Sequence, residues 1–332
     1  MNSAPPSTEV AIIGAGLSGL VAARELLAAG KAVHIVDKGR GVGGRLATRR
    51  MGRARLDHGA QFFTVRGDEF RATVDAAIDA GVVDVWCRGF GETDGYPRYF
   101  CPNGMTGLAK WLTEQVTEAG ATVSLGTRVS HIAKSEDNWE LPLDSGERLR
   151  ANDLIVTSPV PQTLDLLNDG SVAVDATIRA ELEAMSYKPV ISVLATLDGP
   201  SAIPTPGGVQ QTEDEVFTFI ADNQQKGISP EPAVTFHANG ALSAERWDDH
   251  DDTVLGDLLA EAGPWLGTAN VVEAQLKKWK YAGVYTPHRD RCVVAAKEPG
   301  ALILAGDAFG GPKVEGAFNS GLAAARLLTA LG

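Results

Sequence analysis

The chain has 332 residues, of which 44% are hydrophobic and 22% charged, and its formal net charge at pH 7 is −12. This length allows a nucleotide-binding domain with a second domain inserted into it, and the composition is that of a globular protein rather than a disordered or membrane-embedded one. The excess of acidic residues disfavours nucleic acid as a partner, because phosphate backbones would be repelled, and no apolar run reaches membrane-spanning length.

The cysteines and the first residues exclude two further classes. Cys87, Cys101 and Cys292 form no CxxC pair and no Cys/His cluster at metal-ligand spacing, so we expect neither a disulfide framework nor a metal site. The first eight residues are polar and lack the basic and apolar regions of a secretory signal. We therefore expect a cytoplasmic protein without a membrane partner.

The N-terminal segment predicts a β-α-β unit. An apolar run over residues 10–13 indicates a buried strand, residues 17–29 a helix, and residues 32–36 a second strand that ends at Asp37. Between strand and helix stands Gly14-Ala15-Gly16-Leu17-Ser18-Gly19, which matches G-x-G-x-x-G. Its glycines allow a tight turn and close approach of a pyrophosphate, and Asp37 is placed to accept hydrogen bonds from ribose hydroxyls. The segment therefore predicts an adenine dinucleotide site.

The next glycine-rich stretch indicates which dinucleotide is bound. Gly41-Val42-Gly43-Gly44-Arg45 follows Lys38 and Arg40 and offers amides and guanidinium groups to a second phosphate or to a ribityl chain. A plain NAD dehydrogenase does not need this element.

The middle of the chain predicts more of the first sheet and then a second one. We expect helices over 70–80 and from the turn at 102–104 to about 119, a third parallel strand over 121–125, strands over 129–132 and 139–143, and a buried strand over 153–157. Between 162 and 287, helices over 178–185 and 253–266 alternate with strands over 190–197, 216–221, 234–237 and 271–276. This spacing favours a mixed or antiparallel sheet in a second domain.

The C-terminal segment returns to the nucleotide domain. A buried strand over 301–305 leads into Gly306-Asp307, and a helix is predicted over 314–331. The Asp307 carboxylate suits a ribityl hydroxyl, and the helix start at Val314-Glu315-Gly316-Ala317 suits the negative charge of a reduced flavin. FAD is therefore favoured over NAD as the bound cofactor.

These motifs resemble the amine-oxidase superfamily of flavoproteins and, more closely, the renalase family within it. The resemblance rests on the first glycine turn, Asp37, GVGGR, the segment from Leu56 to Thr64 (LDHGAQFFT) and Gly306-Asp307. Looser matches, in order along the chain, are PNGM at 102–105, SPVP at 158–161, FHA at 236–238, KWKY at 278–281 and VEG at 314–316. The matches span nearly the whole chain.

The resemblance implies an α/β protein with a Rossmann-type FAD-binding domain, like those of amine oxidases and p-hydroxybenzoate hydroxylase, and an inserted mixed or antiparallel-sheet substrate domain. We assign residues 1–65, 102–162 and 287–332 to the first domain and 66–101 and 163–286 to the second. FAD is expected to be noncovalent, because no cysteine lies in the C-terminal flavin segment. The predicted cofactor-binding residues are Gly14, Ala15, Gly16, Leu17, Ser18, Gly19, Asp37, Lys38, Arg40, Gly44, Arg45, Gly59, Ala60, Gln61, Phe62, Val129, Ser158, Gly306, Asp307, Val314, Glu315, Gly316 and Ala317.

Renalases oxidise isomeric dihydro forms of NAD(P), reduced at ring carbon 2 or 6, and pass the electrons to oxygen, giving hydrogen peroxide. The resemblance thus implies a small-molecule substrate and oxygen as partners, with Gln61, His237, Trp279 and Tyr281 as catalytic-site candidates. His237 either binds a carboxamide or is structural, and Trp279 and Tyr281 either flank a planar ring or fill the core. Lys280 stands where the family pattern leads us to expect arginine.

Two alternatives remain open from the sequence. An amine or polyamine oxidase is suggested by the superfamily and by the acidic run Glu213-Asp214-Glu215, although residues 308–312 contain one aromatic, Phe309, where a cage needs a pair. A non-catalytic FAD-binding protein is the other. The sequence leaves the oligomeric state open.

Overall fold

The computed structural model describes residues 7–91 and 95–331. The chain forms two compact units. The first contains the described parts of Met1–Gly44, Ala109–Ser186 and Val284–Gly332, and the second those of Arg45–Leu108 and Tyr187–Gly283. These units follow packing, whereas the predicted domains follow cofactor and substrate roles, so the predicted boundaries stay a prediction.

Strands and helices of the described residues are numbered separately in chain order. The strands are β1 Ser7–Ile13, β2 Val33–Asp37, β3 Thr48–Met51, β4 Ala54–Asp57, β5 Asp84–Cys87, β6 Arg98–Phe100, β7 Thr122–Leu125, β8 Ala133–Lys134, β9 Trp139–Pro142, β10 Arg148–Val156, β11 Tyr187–Leu197, β12 Gly208–Gln210, β13 Phe217–Asp222, β14 Ala233–Ala238, β15 Val271–Val284, β16 Val293–Ala296 and β17 Leu302–Leu304. The α-helices are α1 Leu17–Ala28, α2 Asp68–Asp79, α3 Thr106–Glu118, α4 Val160–Asp169, α5 Ala176–Glu183, α6 Gly240–Glu245, α7 Asp251–Glu261, α8 Gly263–Leu266, α9 Asp307–Gly310 and α10 Val314–Leu331.

The first unit is built on a mixed sheet in the order β16-β17-β10-β1-β2-β7, to which β9 and β8 add beside β10. Strands β17, β10, β1, β2 and β7 run parallel, and β16 and β9 are antiparallel to their neighbours. The predicted third parallel strand over 121–125 is confirmed, since β7 pairs with β2. Val10, Ala11 and Ile12 of the central strand β1 are fully buried, which agrees with the apolar sequence of this strand.

Helices α1 and α10 pack closely against each other in this unit. A Cβ atom on Gly321 would lie 2.1 Å from the carbonyl oxygen of Ser18, so only glycine allows this approach. The C-terminal helix is thereby held against the first turn of the N-terminal one.

The second unit contains a five-stranded sheet in the order β12-β13-β14-β11-β15. The β12–β13, β13–β14 and β14–β11 pairs are antiparallel, which confirms the predicted second sheet. Residues from α7 and α8, among them Val254 and Leu258, join β11 and β14 in its core. The unit also contains two antiparallel strand pairs, β3–β4 and β5–β6, and the helices α2 and α6.

Several predicted elements differ from the observed ones. The predicted helix over 253–266 is two helices, α7 and α8, because Pro264 lacks the N–H that a continuous helix would need and instead stands at the start of α8. The strand predicted over 271–276 continues to Val284, and residues 129–132 form a single bridge, between Val129 and Leu143, rather than a strand. No helix of the described chain is both long and apolar enough to cross a membrane.

Candidate active site

The first glycine turn joins β1 to α1 in the first unit. Gly14 has φ +114°, and a Cβ atom there would lie 2.4 Å from the hydroxyl oxygen of Thr157. On Gly19 a Cβ atom would lie 2.0 Å from the carbonyl oxygen of Gly14. Helix α1 begins at Leu17, and Gly16 before it supplies no side-chain cap. The first amides of α1 are therefore left uncapped by a side chain, which suits an anion such as a pyrophosphate.

Ser18, in the first turn of α1, gives a more specific sign of a ligand. It is 4% exposed, and within the described chain its hydroxyl oxygen has no hydrogen-bond partner. An unsatisfied buried hydroxyl costs about 1–3 kcal/mol, so a phosphate oxygen at this place would relieve it. The turn therefore fits a dinucleotide pyrophosphate.

Asp37 holds the two glycine turns in place. Its Oδ2 accepts a hydrogen bond from the amide of Ala15 at 2.6 Å and its Oδ1 accepts one from Gly39 at 2.6 Å. The second glycine segment lies against the first, since the Gly43 amide donates to the carbonyl of Ala15 at 2.8 Å. A carboxylate has about four acceptor positions, so Asp37 can accept a ribose hydroxyl as well.

Further predicted cofactor residues of the first unit are Lys38, Arg40, Gly44, Val129 and Ser158. Lys38 donates to the side chain of Gln162 at 2.9 Å, and Arg40 is exposed. The Ser158 hydroxyl bonds to that of Thr163 at 2.8 Å, at the start of α4. A Cβ atom on Gly44 would lie 3.7 Å from the Cα of Gly16. Val129 is buried beside β9.

The C-terminal Gly306-Asp307 motif is also held by hydrogen bonds and close packing. The Gly306 amide donates to the Ser320 hydroxyl at 2.8 Å, and that hydroxyl donates to the carbonyl of Arg291 at 2.6 Å. Asp307, 9% exposed, begins the short helix α9, and α10 begins at Val314, so that Glu315 and Ala317 lie in its first turn. Gly316 is required here, since a Cβ atom would lie 2.1 Å from the carbonyl oxygen of Gly311.

In the second unit, Arg45 and the segment Gly59-Ala60 are brought together. The Ala60 amide donates to the carbonyl of Arg45 at 2.8 Å, and a Cβ atom on Gly59 would lie 2.0 Å from the same oxygen. The Arg45 guanidinium donates to the carbonyl of Tyr281 at 3.0 Å. Tyr281 in turn meets Tyr187 edge-on, with ring centroids 5.3 Å apart, so its face is engaged by the protein.

Gln61 and His237 meet in the same unit. The Gln61 amide nitrogen donates to the carbonyl of Asp57 at 2.6 Å and lies 3.3 Å from Nε2 of His237, whereas its buried Oε1 has no partner among the described residues. With this amide orientation His237 accepts at Nε2 and carries its proton on Nδ1. The pair therefore leaves one buried acceptor, the Gln61 oxygen, unsatisfied within the described residues.

His58 belongs to the same unit, and the sequence did not reveal it as a candidate because it occupies the variable position of the LDxGAQ pattern. Its ring stacks on Trp279 with centroids 5.3 Å apart, and the Trp279 indole N–H donates to the His58 carbonyl at 2.7 Å. The buried Nδ1 of His58 has no partner within the described residues. One face of the Trp279 ring is therefore covered by His58, so that face is not available to an aromatic cage. Phe62 belongs to a different cluster, with Trp86, Phe90 and Phe219.

Both imidazoles are held uncharged. Burial, with the nearby charges of Lys277 and Arg49, lowers the pKa of His58 to about 4, although Asp57 acts in the opposite direction. Burial also lowers the pKa of His237 to about 3, with smaller contributions from His58, Lys226 and Lys188. The polar cluster of His58, Gln61 and His237 is therefore neutral at physiological pH, and the charges that act on it are mainly positive.

A buried ion pair supports this cluster. Lys226 and Asp57 have fully buried side chains, and the Lys226 Nζ lies 2.7 Å from Oδ2 of Asp57. The other carboxylate oxygen accepts from the Thr48 hydroxyl at 2.6 Å and the Met105 amide at 2.8 Å. Both carboxylate oxygens of Asp57 are thereby held, and its backbone carbonyl accepts from Gln61.

The glycine turns, the parallel sheet and the C-terminal Gly-Asp motif define a flavoprotein oxidoreductase. Residues 12–77 match the model of the NAD(P)-binding Rossmann-like domain, and residues 82–329 match that of the flavin containing amine oxidoreductases. The chain belongs to this flavin-containing amine oxidoreductase family, whose members use a flavin cofactor.

Comparison with individual proteins gives one relative at modest identity and two similar folds. The chain is 23% identical to renalase of Mus musculus over 347 aligned positions, which cover 97% of this chain and 98% of the renalase. Its fold is similar to that of a putative protoporphyrinogen oxidase from Exiguobacterium sp. 255-15 (TM-score 0.72, 13% identity, 99% and 100% of the two chains covered). It is also similar to wild-type putrescine oxidase bound to putrescine (TM-score 0.70, 14% identity, 98% and 99% covered).

Proposed function

We propose that this oxidoreductase is a renalase-like oxidase. With noncovalently bound FAD, it would oxidise dihydro isomers of NAD(P), reduced at ring carbon 2 or 6, to NAD(P)+ and reduce oxygen to hydrogen peroxide. The observation that carries the proposal is the cluster of His58, Gln61 and His237, in which the buried Gln61 Oε1 has no partner among the described residues and the His58 ring stacks on Trp279. The similarity to mouse renalase over nearly its full length supports the same reaction.

The charges around the cluster favour this substrate over an amine. An amine substrate is a cation at neutral pH and gains from a carboxylate or an aromatic cage. The carboxylate of Asp57 is already paired with Lys226, and Glu213 of the acidic run is paired with Lys188. Arg49 and Lys277, which act on His58 and form no ion pair among the described residues, would not repel a dihydropyridine, because its ring is uncharged and its phosphates are negative.

The chain's residues fit FAD at several places. Ser18 and the first amides of α1 would hold the pyrophosphate, Asp37 the adenosine ribose, and Asp307 the ribityl chain. Arg45, Gly59, Ala60 and Gln61 would lie near the flavin ring. Bound FAD would supply the hydride acceptor and the means of passing two electrons to oxygen.

The cluster's role would be to position the substrate. An isomeric dihydropyridine is electron-rich and gives up hydride readily, so orientation matters more than proton transfer. The Gln61 Oε1 would accept from a carboxamide N–H, while the His58–Trp279 stack provides a flat wall. The overall balance is NAD(P)H + H+ + O2 → NAD(P)+ + H2O2: the substrate C–H bond breaks with loss of two electrons, and oxygen gains them with two protons.

Aerobic turnover tests the proposal. Purified holoenzyme should release hydrogen peroxide with the 2- and 6-dihydro isomers, in a one-to-one ratio with NAD(P)+ formed, and release little with putrescine or other amines. Peroxide from amines and none from the dihydro isomers would overturn it and favour an amine oxidase.

A further inference from the structure

A surface depression of about 350 Å3 lies in the second unit, where β3, β15 and the start of α7 meet. Its lining includes Arg49, Lys277, Gln275 and Leu255. Arg49 donates from Nε to the side-chain oxygen of Gln275 at 3.2 Å, which places its guanidinium beside β15. All of these residues belong to the same unit as His58 and Trp279.

Two cations in this depression lack a counter-ion. Neither Arg49 nor Lys277 forms an ion pair in the part of the chain that the structure describes. The two cations repel each other: burial and, after it, the charge of Arg49 lower the pKa of Lys277, although the charge of Asp251 acts in the opposite direction. An anion held by both would relieve that repulsion, and a phosphate is well suited to an arginine fork and a lysine.

Two aspartates, Asp251 and Asp252, also line the depression, and each has a basic side chain nearby. The Asp251 carboxylate lies 2.7 Å from the Nζ of Lys278, outside the depression's own lining. The Asp252 side chain is 90% exposed and its nearest basic partner is His250, at 3.8 Å. The lining itself carries two cations and two carboxylates, and one of these carboxylates, that of Asp251, is paired with Lys278.

The depression is near the proposed ring-binding position. Lys277 and Trp279 are two residues apart on β15, so their side chains point to the same face of the strand and are about 7 Å apart along it. The charges of Lys277 and Arg49 are felt at the imidazole of His58, which stacks on Trp279. A nicotinamide bound beside that stack would have its phosphate on the side of the two cations.

We propose that Arg49 and Lys277 form a phosphate subsite, through which the enzyme selects phosphorylated dihydronicotinamides over the unphosphorylated riboside. This inference rests on the proposed function, because it assigns that site a substrate class: nucleotides. The 5′-phosphate and the 2′-phosphate of an NADP form share the required chemistry, and the test separates them.

The experiment compares four isomeric dihydro substrates with the holoenzyme: the riboside, the mononucleotide, the NAD form and the NADP form. Arg49→Met and Lys277→Met should each lower kcat/KM about tenfold for phosphorylated substrates and leave the riboside unchanged, because each removes one charge-assisted contact. Loss with the mononucleotide assigns the 5′-phosphate, and loss confined to the NADP form assigns the 2′-phosphate. Arg50→Met is the matched control, since Arg50 is exposed, adjacent on β3 and outside the depression, and it should behave as wild type.

Failure of this inference is distinct from failure of the proposed function. Oxidation of all four substrates with rates unaffected by Arg49→Met and Lys277→Met would overturn the subsite and leave the oxidase proposal standing. No oxidation of any substrate by wild type would overturn the oxidase proposal. In that case calorimetric titration of the holoenzyme with pyrophosphate decides the subsite: binding weakened by Arg49→Met but not by Arg50→Met supports an anion site, and equal binding refutes it.

Discussion

Replacing Lys226 by methionine removes one partner of the buried ion pair and should lower the free energy of unfolding by about 3–5 kcal/mol. Lys226 and Asp57 are both fully buried, with the joining atoms 2.7 Å apart, so the carboxylate would be left charged and without its cation. The Thr48 hydroxyl and the Met105 amide would still donate to it, which keeps the loss within this range.

Urea denaturation of the holoenzyme in excess FAD measures this loss. The matched control is Lys188→Met, which breaks an ion pair of the same unit whose side chains are 26% and 60% exposed, and it should cost less than about 1 kcal/mol. The double variant Lys226→Met/Asp57→Asn should recover part of the loss, because it removes the unpaired charge as well.

The same variant should also affect the neutral cluster, because the Asp57 carbonyl holds the Gln61 amide at 2.6 Å. We therefore expect a lower kcat with the proposed substrate even under conditions where the protein is fully folded. A Lys226→Met variant as stable as Lys188→Met, with unchanged kcat, would show that the buried pair does not hold the segment from Asp57 to Gln61.

Three further predictions concern the cofactor and the cluster. Gly59→Ala should lower the free energy of unfolding by about 1–3 kcal/mol, because its Cβ would lie 2.0 Å from the Arg45 carbonyl oxygen, while Gly41→Ala, with no atom within 4 Å, should not; equal urea midpoints would contradict this. His58 has its folded pKa lowered to about 4, so only the unfolded chain takes up its proton as the pH falls below about 6.5. Between about pH 8 and pH 5 wild type should thus lose about 2 kcal/mol more stability than His58→Asn, and parallel losses in urea titrations would argue against a neutral buried imidazole. Asp307→Ala should weaken FAD retention about tenfold or more, since a hydrogen bond to a charged group contributes about 1.5–3 kcal/mol, and an unchanged flavin-to-protein absorbance ratio after purification would exclude that role.

The parts of the fold that could be predicted are those specified by neighbouring residues. The β1–α1–β2 unit, with Gly14 at its turn and Asp37 at its end, is encoded within about thirty residues by apolar runs and glycines. The long helix at 314–331 is likewise set by its own pattern. Local signals of this kind do not depend on the rest of the chain.

The parts that could not be predicted depend on distant partners. Lys226 is 169 residues from Asp57, and nothing in its local sequence marks it as a buried cation. Strand β15 was predicted only to residue 276, because Lys277, Lys278 and Lys280 interrupt the apolar pattern; the strand lies at the edge of its sheet, where lysines are tolerated. The sequence did not mark His58, because it occupies the variable position of the LDxGAQ pattern and its stacking partner, Trp279, is distant along the chain.

An anaerobic single turnover measures whether the neutral cluster serves an uncharged dihydropyridine. The holoenzyme is mixed without oxygen with one equivalent of 2-dihydro-NAD, 6-dihydro-NAD, ordinary NADH or putrescine, and the flavin absorbance is followed. We expect rapid bleaching with at least one of the two isomers, matched by an equivalent of NAD+, and slow or no bleaching with NADH and putrescine. Bleaching by putrescine, with the flavin left oxidised by both isomers, would show that the site serves an amine instead.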